Sequence, residues 1–286
     1  MSLQAEFSER RFTSQDGLSL YYRDYGDPYS AAVPVLCLGG LNRNSKDFHR
    51  LARRLANGGG RRVICPDYRG RGRSDYDADW ANYTPPSYLN DIRHLLALAG
   101  IAKVIVIGTS LGGLLAAAMT AAMPNVLSAV VLNDIGPDLG ATALARILAY
   151  IADDRPEPDW QAVISRTKRY FPNFNPGTDE DWMRAAKASY RECADGLIRN
   201  DWDPAIARPI PGTRIPDLWP LFRALGRRRV LVLRGETSEI LSTATLDAMS
   251  REIPRLAAVT VPEVGHAPSL MEKESLAAID ELLAGL

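Results

Sequence analysis

Short runs of consecutive apolar residues recur along the chain, separated by segments with helical periodicity. Such runs are typical of strands that are buried on both faces of a parallel sheet. The first is Val33–Leu38, and others follow at 62–65, 104–108, 129–133, 229–233 and 257–261. Amphipathic stretches such as 89–98 lie between them and end at glycine or proline. This alternation predicts an α/β fold with a mostly parallel central sheet and helices on both faces.

The two ends of the chain follow different patterns. Leu18–Tyr25 alternates apolar and polar residues, which is typical of an antiparallel edge strand, and a partner strand is expected near Arg10–Thr13. The last amphipathic stretch predicts a helix over Ser269–Leu286, with Pro268 suited to its first turn.

One long segment interrupts the alternation of strands and helices. Between Asp134 and about Leu225 no buried-strand pattern occurs, only helical stretches that are broken by prolines. We therefore predict a core of residues 1–134 and 226–286 and a helical cap of residues 135–225 above the carboxyl ends of the strands. Four of the five tryptophans lie in this cap. A small cap core explains them most simply, and Trp160 and Trp182 are also candidates for lining a substrate pocket.

Charge and hydropathy exclude several classes of partner. Of the 286 residues, 34 are Lys or Arg and 34 are Asp or Glu, so the net charge is zero and offers no electrostatic case for binding nucleic acid. The first residues are polar and no run of about 18 apolar residues occurs, so we expect a cytoplasmic protein that does not bind membranes. The triplet at 227–229, three arginines before a strand, is most simply a solvated loop.

Three cysteines are present, at Cys37, Cys65 and Cys193, and their spacing is not that of metal ligands. Cys37 and Cys65 lie in apolar runs, which predicts buried and unreactive thiols. The sequence therefore predicts neither a metal site nor a bound cofactor.

The segment Gly108-Thr109-Ser110-Leu111-Gly112 joins an apolar strand run to a helical run rich in alanine and leucine. A strand, a sharp turn and a helix are the context that G-x-S-x-G requires as a nucleophile elbow. The two glycines stand where a side chain would crowd the turn, and the helix start places N–H groups beside the serine hydroxyl. Ser110 is thus the predicted nucleophile.

A serine hydroxyl needs a base, and the chain has only three histidines. His266 is the one that follows Ser110, just past the last predicted strand, where its imidazole would lie at the same edge of the sheet as the elbow. His49 and His94 belong to amphipathic helices and are expected at the surface. We predict that His266 is the general base.

The acid that orients the histidine is less sharply defined. Glu239 lies in the loop after the strand at 229–233, and Asp134 directly follows the strand at 129–133. A carboxylate at either strand end is chemically able to hold the histidine tautomer. We favour Glu239 and keep Asp134 as the alternative; Glu236 is a third candidate, for which an ion pair in the loop is the simpler interpretation.

A tetrahedral intermediate also needs two fixed N–H donors. Leu111, which follows the nucleophile, supplies one, and the loop after the first buried strand should supply the other. We assign the second donor to the Leu41 N–H, with Gly40 allowing close approach of the substrate. A plain strand-ending turn at Gly39-Gly40 is the alternative.

These motifs together resemble the α/β-hydrolase family, and the similarity covers nearly the whole chain. The elbow, the Gly265-His266 loop and the loop over Asp67–Ser74 match the family's pattern. We interpret the last of these as a structured loop tied by its charged residues, rather than a phosphate cradle. Two departures are Gly39 in place of the usual histidine before Gly40, and Glu239 where related chains usually carry aspartate.

The resemblance implies a cofactor-free serine hydrolase. We expect cleavage of a small carboxylic ester or lactone through an acyl-enzyme on Ser110. Hydrolysis of a carbon–carbon bond in a dienoic acid by the same residues is an alternative. A third hypothesis is a protein that binds a small ligand on this scaffold without turnover.

Overall fold

The computed structural model describes residues 6–210 and 216–286. Within these ranges the strands are β1 (Ser8–Thr13), β2 (Ser19–Tyr25), β3 (Val35–Leu38), β4 (Val63–Pro66), β5 (Val104–Thr109), β6 (Leu127–Asn133), β7 (Tyr190–Glu192), β8 (Ile198–Asn200), β9 (Arg229–Gly235) and β10 (Leu256–Val261). The α-helices are α1 (His49–Asn57), α2 (Pro85–Leu98), α3 (Leu111–Ala122), α4 (Ala141–Ala152), α5 (Trp160–Tyr170), α6 (Asp179–Ser189), α7 (Trp219–Ala224), α8 (Thr243–Glu252) and α9 (Lys273–Ala284).

Eight strands form one sheet in the order β1-β2-β4-β3-β5-β6-β9-β10. The first two join antiparallel, with Arg10 opposite Tyr22, and β2 is also antiparallel to β4. The neighbouring strands from β4 to β10 are all parallel. The predicted α/β fold with a mostly parallel central sheet is confirmed. Because all the parallel strands run the same way, the loops at their carboxyl ends share one edge of the sheet.

Alternate residues of the buried strands serve two hydrophobic cores, one on each face. In β3, Leu36 and Leu38 face a core that includes residues of α2, α3 and α8. Val35 and Cys37 face the other core, which α1 and α9 complete. Cys37 and Cys65 are fully buried free thiols, as their apolar surroundings predicted.

The last helix begins later than the hydrophobic pattern predicted. It starts at Lys273 rather than Ser269, so the expectation that Pro268 lies in its first turn is wrong. Glu272 precedes the helix, and its carboxylate accepts hydrogen bonds from the Ser269 N–H at 2.6 Å and from the Ser275 hydroxyl at 2.8 Å. These contacts hold the preceding residues in a turn.

Between β6 and β9 the chain leaves the sheet and forms α4–α7 together with the short hairpin of β7 and β8. The hairpin corrects the expectation of helices alone in this segment; each strand has three residues, too few to produce a readable alternation. The division into a core and a cap over 135–225 stays our proposal, and residues 1–5 and 211–215 of that division lie outside the described residues.

The loop after β4 connects the sheet to this segment. Asp67 accepts hydrogen bonds from the N–H groups of Ser45, at 2.7 Å, and Arg73, at 2.9 Å. The Gly72 N–H donates to the Asp201 carbonyl at 2.8 Å, which ties the loop to the chain beyond β8. The interpretation of residues 67–74 as a structured loop tied by charged residues is confirmed.

Candidate active site

Ser110 occupies a strained turn between β5 and α3. Its backbone has φ 50° and ψ −113°, a conformation with positive φ that residues other than glycine rarely adopt. A Cβ on Gly108 would lie 2.4 Å from the carbonyl carbon of Gly112, and a Cβ on Gly112 would lie 2.1 Å from the Leu38 oxygen. Both positions therefore require glycine, as a nucleophile elbow does.

The structure pairs His266 with Asp134. The His266 Nδ1 lies 2.6 Å from the Asp134 Oδ2, and the carboxylate is fully buried while the imidazole keeps 20% of its surface exposed. Asp134 directly follows β6 and His266 lies in the loop after β10, so both side chains project from the edge of the sheet that carries Ser110. A buried carboxylate on Nδ1 leaves Nε2 as the imidazole nitrogen that is free to accept a proton.

The Asp134 carboxylate accepts two further hydrogen bonds besides its contact with His266. Its Oδ1 accepts the Gly235 N–H at 3.0 Å, and its Oδ2 also accepts the Ser238 hydroxyl at 2.6 Å. The residue itself has φ 56°. These hydrogen bonds fix the carboxylate and help to balance its burial away from water.

Glu239, the favoured acid, does not have this position in the structure, and that prediction is corrected. Its carboxylate pairs with Arg146 of α4 and accepts the Asn173 amide at 3.0 Å, and 41% of its side chain is exposed. Ser238, one residue earlier, is the member of this loop that reaches Asp134. Glu236 accepts the Glu263 N–H at 2.9 Å, and no hydrogen bond joins it to His266 among the described residues.

Asn133 ties the serine, acid and histidine segments together. Its amide donates to the Thr109 hydroxyl, at 3.0 Å, and to the Pro268 carbonyl, at 2.9 Å. One side chain thus links the residue before the nucleophile to the histidine loop. Sequence reasoning identified neither this role nor that of Ser238, although both lie next to candidate acids.

The loop after β3, which holds the predicted donor Leu41, is fixed on both sides of Gly40. The Tyr68 hydroxyl donates to the Gly39 carbonyl at 3.2 Å, and Arg71 Nε donates to the Leu41 carbonyl at 2.8 Å. Arg71 is fully buried and also donates to the Tyr88 hydroxyl at 2.9 Å. The sequence motif over 67–74 contained Tyr68 and Arg71, but nothing in it indicated contact with this loop.

Both predicted oxyanion donors lack a hydrogen-bond partner among the described residues. Across residues 6–210 and 216–286, neither the Leu41 N–H nor the Leu111 N–H donates a hydrogen bond to another protein group. Gly40 lies beside the nucleophile, because a Cβ placed on it would be 3.9 Å from the Ser110 Cβ. The same Cβ would lie 3.2 Å from Arg43 Cγ, so the Arg43 side chain borders this loop as well.

The two tryptophans predicted as pocket candidates have different surroundings. Trp182 lines a cavity of about 20 Å³ together with Arg43, and its ring packs edge-on against Phe174. Trp160 is half-buried and lies 5.6 Å from the Lys187 ammonium, outside the lining of that cavity. A role for either residue in substrate binding stays a prediction.

The other two histidines lie in helices and have local partners. His49 Nδ1 is 3.1 Å from the Tyr25 hydroxyl, and His94 packs edge-on against Phe12. Within the described residues, no group of three or more His, Cys, Asp or Glu side chains is arranged to hold a metal ion. None of the described helices is both long enough and apolar enough to cross a membrane.

Comparison with known proteins gives matches over almost the whole chain. A model of the alpha/beta hydrolase family matches residues 35–279. A 3-hydroxybutyrate-oligomer hydrolase of Cupriavidus necator is 32% identical over 278 residues, 92% of each chain. A 2-(acetamidomethylene)succinate hydrolase of Mesorhizobium japonicum is 30% identical over 234 residues, which are 81% of each chain.

Among solved structures, an alpha/beta hydrolase of Novosphingobium aromaticivorans is 45% identical and superposes with a TM-score of 0.92, covering 99% of this chain and all of the other. The structure of E-2-(acetamidomethylene)succinate hydrolase has a TM-score of 0.82 at 27% identity. The match covers 97% of this chain and 99% of the other. These relatives are hydrolases, which supports hydrolase activity for this chain.

Proposed function

Because this chain belongs to the alpha/beta hydrolase family, we propose that it is a serine hydrolase that cleaves a small carboxylic ester or lactone through an acyl-enzyme on Ser110. The observation that carries the proposal is the His266–Asp134 contact at 2.6 Å, at the same edge of the sheet as the strained turn that holds Ser110. A buried carboxylate, an imidazole and a projecting hydroxyl at one sheet edge are the parts of a nucleophilic triad. In this proposal Asp134, not Glu239, is the acid.

Acylation follows from these roles. His266 Nε2 removes the proton from the Ser110 hydroxyl as the oxygen attacks the substrate carbonyl carbon. The carbonyl oxygen becomes an oxyanion, and the N–H groups of Leu41 and Leu111 stabilise it, each contributing about 2.7–4 kcal/mol to the transition state. The C–O bond then breaks, and the alkoxide leaves as an alcohol with the proton that His266 had accepted.

Deacylation repeats these steps with water. His266 takes a proton from a water molecule, whose oxygen attacks the acyl carbon, and then returns that proton to Ser110 as the acid is released. Asp134 keeps its negative charge throughout and stabilises the imidazolium in each half-reaction.

Relatives suggest which esters to test first. The Cupriavidus necator protein is named for oligomers of 3-hydroxybutyrate, in which the units are joined by ester bonds. We therefore propose short hydroxyacid esters as the first substrates to assay. A second candidate is an acylamino-substituted dicarboxylate, favoured by the Mesorhizobium japonicum relative over 81% of the chain.

Labelling with a fluorophosphonate tests the activated serine without knowledge of the substrate. We expect one adduct, located on Ser110 by mass spectrometry, and at least a hundredfold slower labelling in the His266→Ala and Asp134→Ala variants. Glu239→Ala is the matched control and should label at the wild-type rate. A folded wild-type protein without an adduct would contradict the proposal and favour a ligand-binding protein without turnover.

A substrate panel then separates the remaining alternatives. It contains the 3-hydroxybutyrate dimer and trimer, a γ-lactone, 2-(acetamidomethylene)succinate and a dienoic acid of the kind that carbon–carbon hydrolases cleave. We expect turnover of the esters, absent in Ser110→Ala. Turnover of the dienoic acid alone would replace ester hydrolysis by carbon–carbon bond hydrolysis.

A further inference from the structure

A second concave surface lies at the opposite edge of the sheet from Ser110, where β5, β6, β9 and β10 begin. It is a groove of about 500 Å³, and its lining includes five cationic side chains, which we call the basic groove: Lys103, Arg227, Arg228, Arg229 and Arg255. At about 3.3 Å per residue, the six residues of β5 separate this groove from Ser110 by roughly 20 Å. The groove is therefore distinct from the proposed active site.

The tertiary structure assembles the basic groove from four separate parts of the chain. Lys103 directly precedes β5, Arg229 is the first residue of β9, and Arg255 directly precedes β10. These strands and β6 are neighbours and start close together, with Ala129 opposite Arg229 and Val230 opposite Leu256. The interpretation of the arginine triplet as a simple solvated loop needs correction, since two of its members are half-buried and one begins a strand.

The cations of the basic groove have no carboxylate partners among residues 6–210 and 216–286. In the part of the chain that the structure describes, none of its five cations forms an ion pair, and no carboxylate lines the groove. Elsewhere, arginines such as Arg54 and Arg62 each have a carboxylate partner. Because the whole chain has zero net charge, this groove is a local excess that the composition conceals.

Two of the guanidinium groups are held in place by backbone carbonyls. Arg228 donates to the Pro124 carbonyl, and Arg229 Nη1 donates to the Gly285 carbonyl at 2.7 Å. The Nε of Arg228 is buried and has no hydrogen-bond partner among the described residues. The Ser128 side chain adds a hydroxyl to the lining. The groove thus offers positioned donors as well as charge.

We propose that the basic groove binds a small anion that carries several phosphate groups. Its volume lies in the range of small-molecule sites. Guanidinium groups match phosphate oxygens in a bidentate geometry, and four of the five cations are arginines. A monocarboxylate would balance one of the five positive charges, whereas a chain of three phosphates balances most of them. This inference does not rest on the proposed hydrolase function.

Isothermal titration of the full-length protein with inorganic tripolyphosphate in 0.15 M NaCl tests the site. We expect one molecule bound per chain in the wild type. The triple variant Lys103→Gln, Arg227→Gln and Arg255→Gln should bind at least tenfold more weakly. All three of these side chains are exposed, and Arg228 and Arg229 with their backbone contacts stay unchanged.

A variant with the same change in net charge is the control. Arg169→Gln, Arg208→Gln and Lys273→Gln remove one exposed lysine and two exposed arginines outside the groove. The dissociation constant of this control for tripolyphosphate should be within twofold of the wild-type value. Both triple variants should have the circular dichroism spectrum of the wild type. An equal loss of binding in both variants, or no wild-type binding at millimolar tripolyphosphate, would overturn the proposal.

Titration with adenosine triphosphate identifies the kind of phosphate compound. Binding at least tenfold tighter than that of tripolyphosphate, and lost in the groove variant, would show that the groove also accepts a nucleoside. Equal affinity would show that it takes the phosphate chain alone. Either result supports the proposal, whereas adenosine triphosphate binding that persists in the groove variant would contradict it.

Discussion

Charged side chains at the two edges of the sheet differ in whether they have partners. At the carboxyl edge, the Asp134 carboxylate is fully buried and accepts three hydrogen bonds, one of them from His266. At the amino edge, the five cations of the basic groove have no carboxylate partner among the described residues. In the proposed reaction, this buried carboxylate would stabilise the positive charge that forms on His266. The amino edge instead carries permanent positive charge, which we propose a bound anion balances.

The largest effect is expected on removing the buried carboxylate at the carboxyl edge. Asp134→Asn should lower kcat of ester hydrolysis by about 10⁴-fold, because the amide no longer fixes the histidine tautomer or stabilises imidazolium. Glu239→Gln should change kcat by less than about threefold, since its partly exposed ion pair with Arg146 contributes little. Steady-state kinetics of both variants measure the difference. A larger loss in Glu239→Gln would return the acid role to Glu239.

A milder change loosens the loop that holds the Leu41 donor. Tyr68→Phe removes the hydroxyl that donates to the Gly39 carbonyl at 3.2 Å. We expect kcat to fall about tenfold with KM nearly unchanged, because the oxyanion forms only during the reaction. The split between kcat and KM, together with an unchanged melting temperature, distinguishes a positioning role from a structural one. A rise in KM alone would contradict it.

A third change removes a paired charge at the end of α4, in the segment between β6 and β9. The Arg155 guanidinium lowers the pKa of Asp153 to about 2, from an ordinary value of 3.8. Since the folded pKa is the lower one, this carboxylate stabilises the fold above about pH 4, and the contribution disappears as the pH falls through 2. Asp153→Asn should therefore reduce the free energy of unfolding at pH 7 by at least about 1 kcal/mol. The exposed pair with Arg155 contributes little, but the fully buried Arg166, 3.6 Å away, also loses a carboxylate neighbour.

Urea unfolding at pH 7 and near pH 2 measures this effect. The wild type and the Asp153→Asn variant should differ at pH 7 and converge in acid. A difference that is the same at both pH values would show that packing or hydrogen bonding, rather than the charge, accounts for it.

The smallest expected effect is at the amino edge. The triple variant of Lys103, Arg227 and Arg255 to glutamine should be as stable as the wild type, or more stable by up to about 0.5 kcal/mol, because it relieves repulsion between exposed like charges. The gain should be present in 20 mM NaCl and absent in 0.5 M NaCl. Thermal unfolding at both salt concentrations measures it, and a salt-independent loss of stability would show that these cations have a structural role.

Much of the fold could be predicted because its signals are local. Apolar runs such as Val33–Leu38 gave the parallel strands to within about two residues of their observed bounds, since a strand buried on both faces has few polar positions. The hairpin of β7 and β8 was not predicted, because strands of three residues are too short to show a hydrophobic periodicity. The start of α9 was predicted too early, because hydrogen bonds to the Glu272 side chain hold the preceding residues outside the helix.

Local signals in the sequence were enough to predict the elbow and to select His266 among the three histidines. Gly108 and Gly112 are required by the close approach of neighbouring backbone, a constraint that a local motif records. His266 followed from its place after the last strand and from the scarcity of histidines.

The carboxylate that contacts His266, and the set of cations that line the basic groove, could be identified only from the three-dimensional arrangement of the loops. Asp134 and Glu239 both follow strands that end at the same edge, and the course of the loop after β9 directs Ser238 to Asp134 and Glu239 to Arg146. The basic groove arises in the same way, because parallel strands bring together residues that are more than a hundred positions apart. Local patterns give each strand and its ends, whereas contacts between loops depend on strand order and on paths that no single segment encodes.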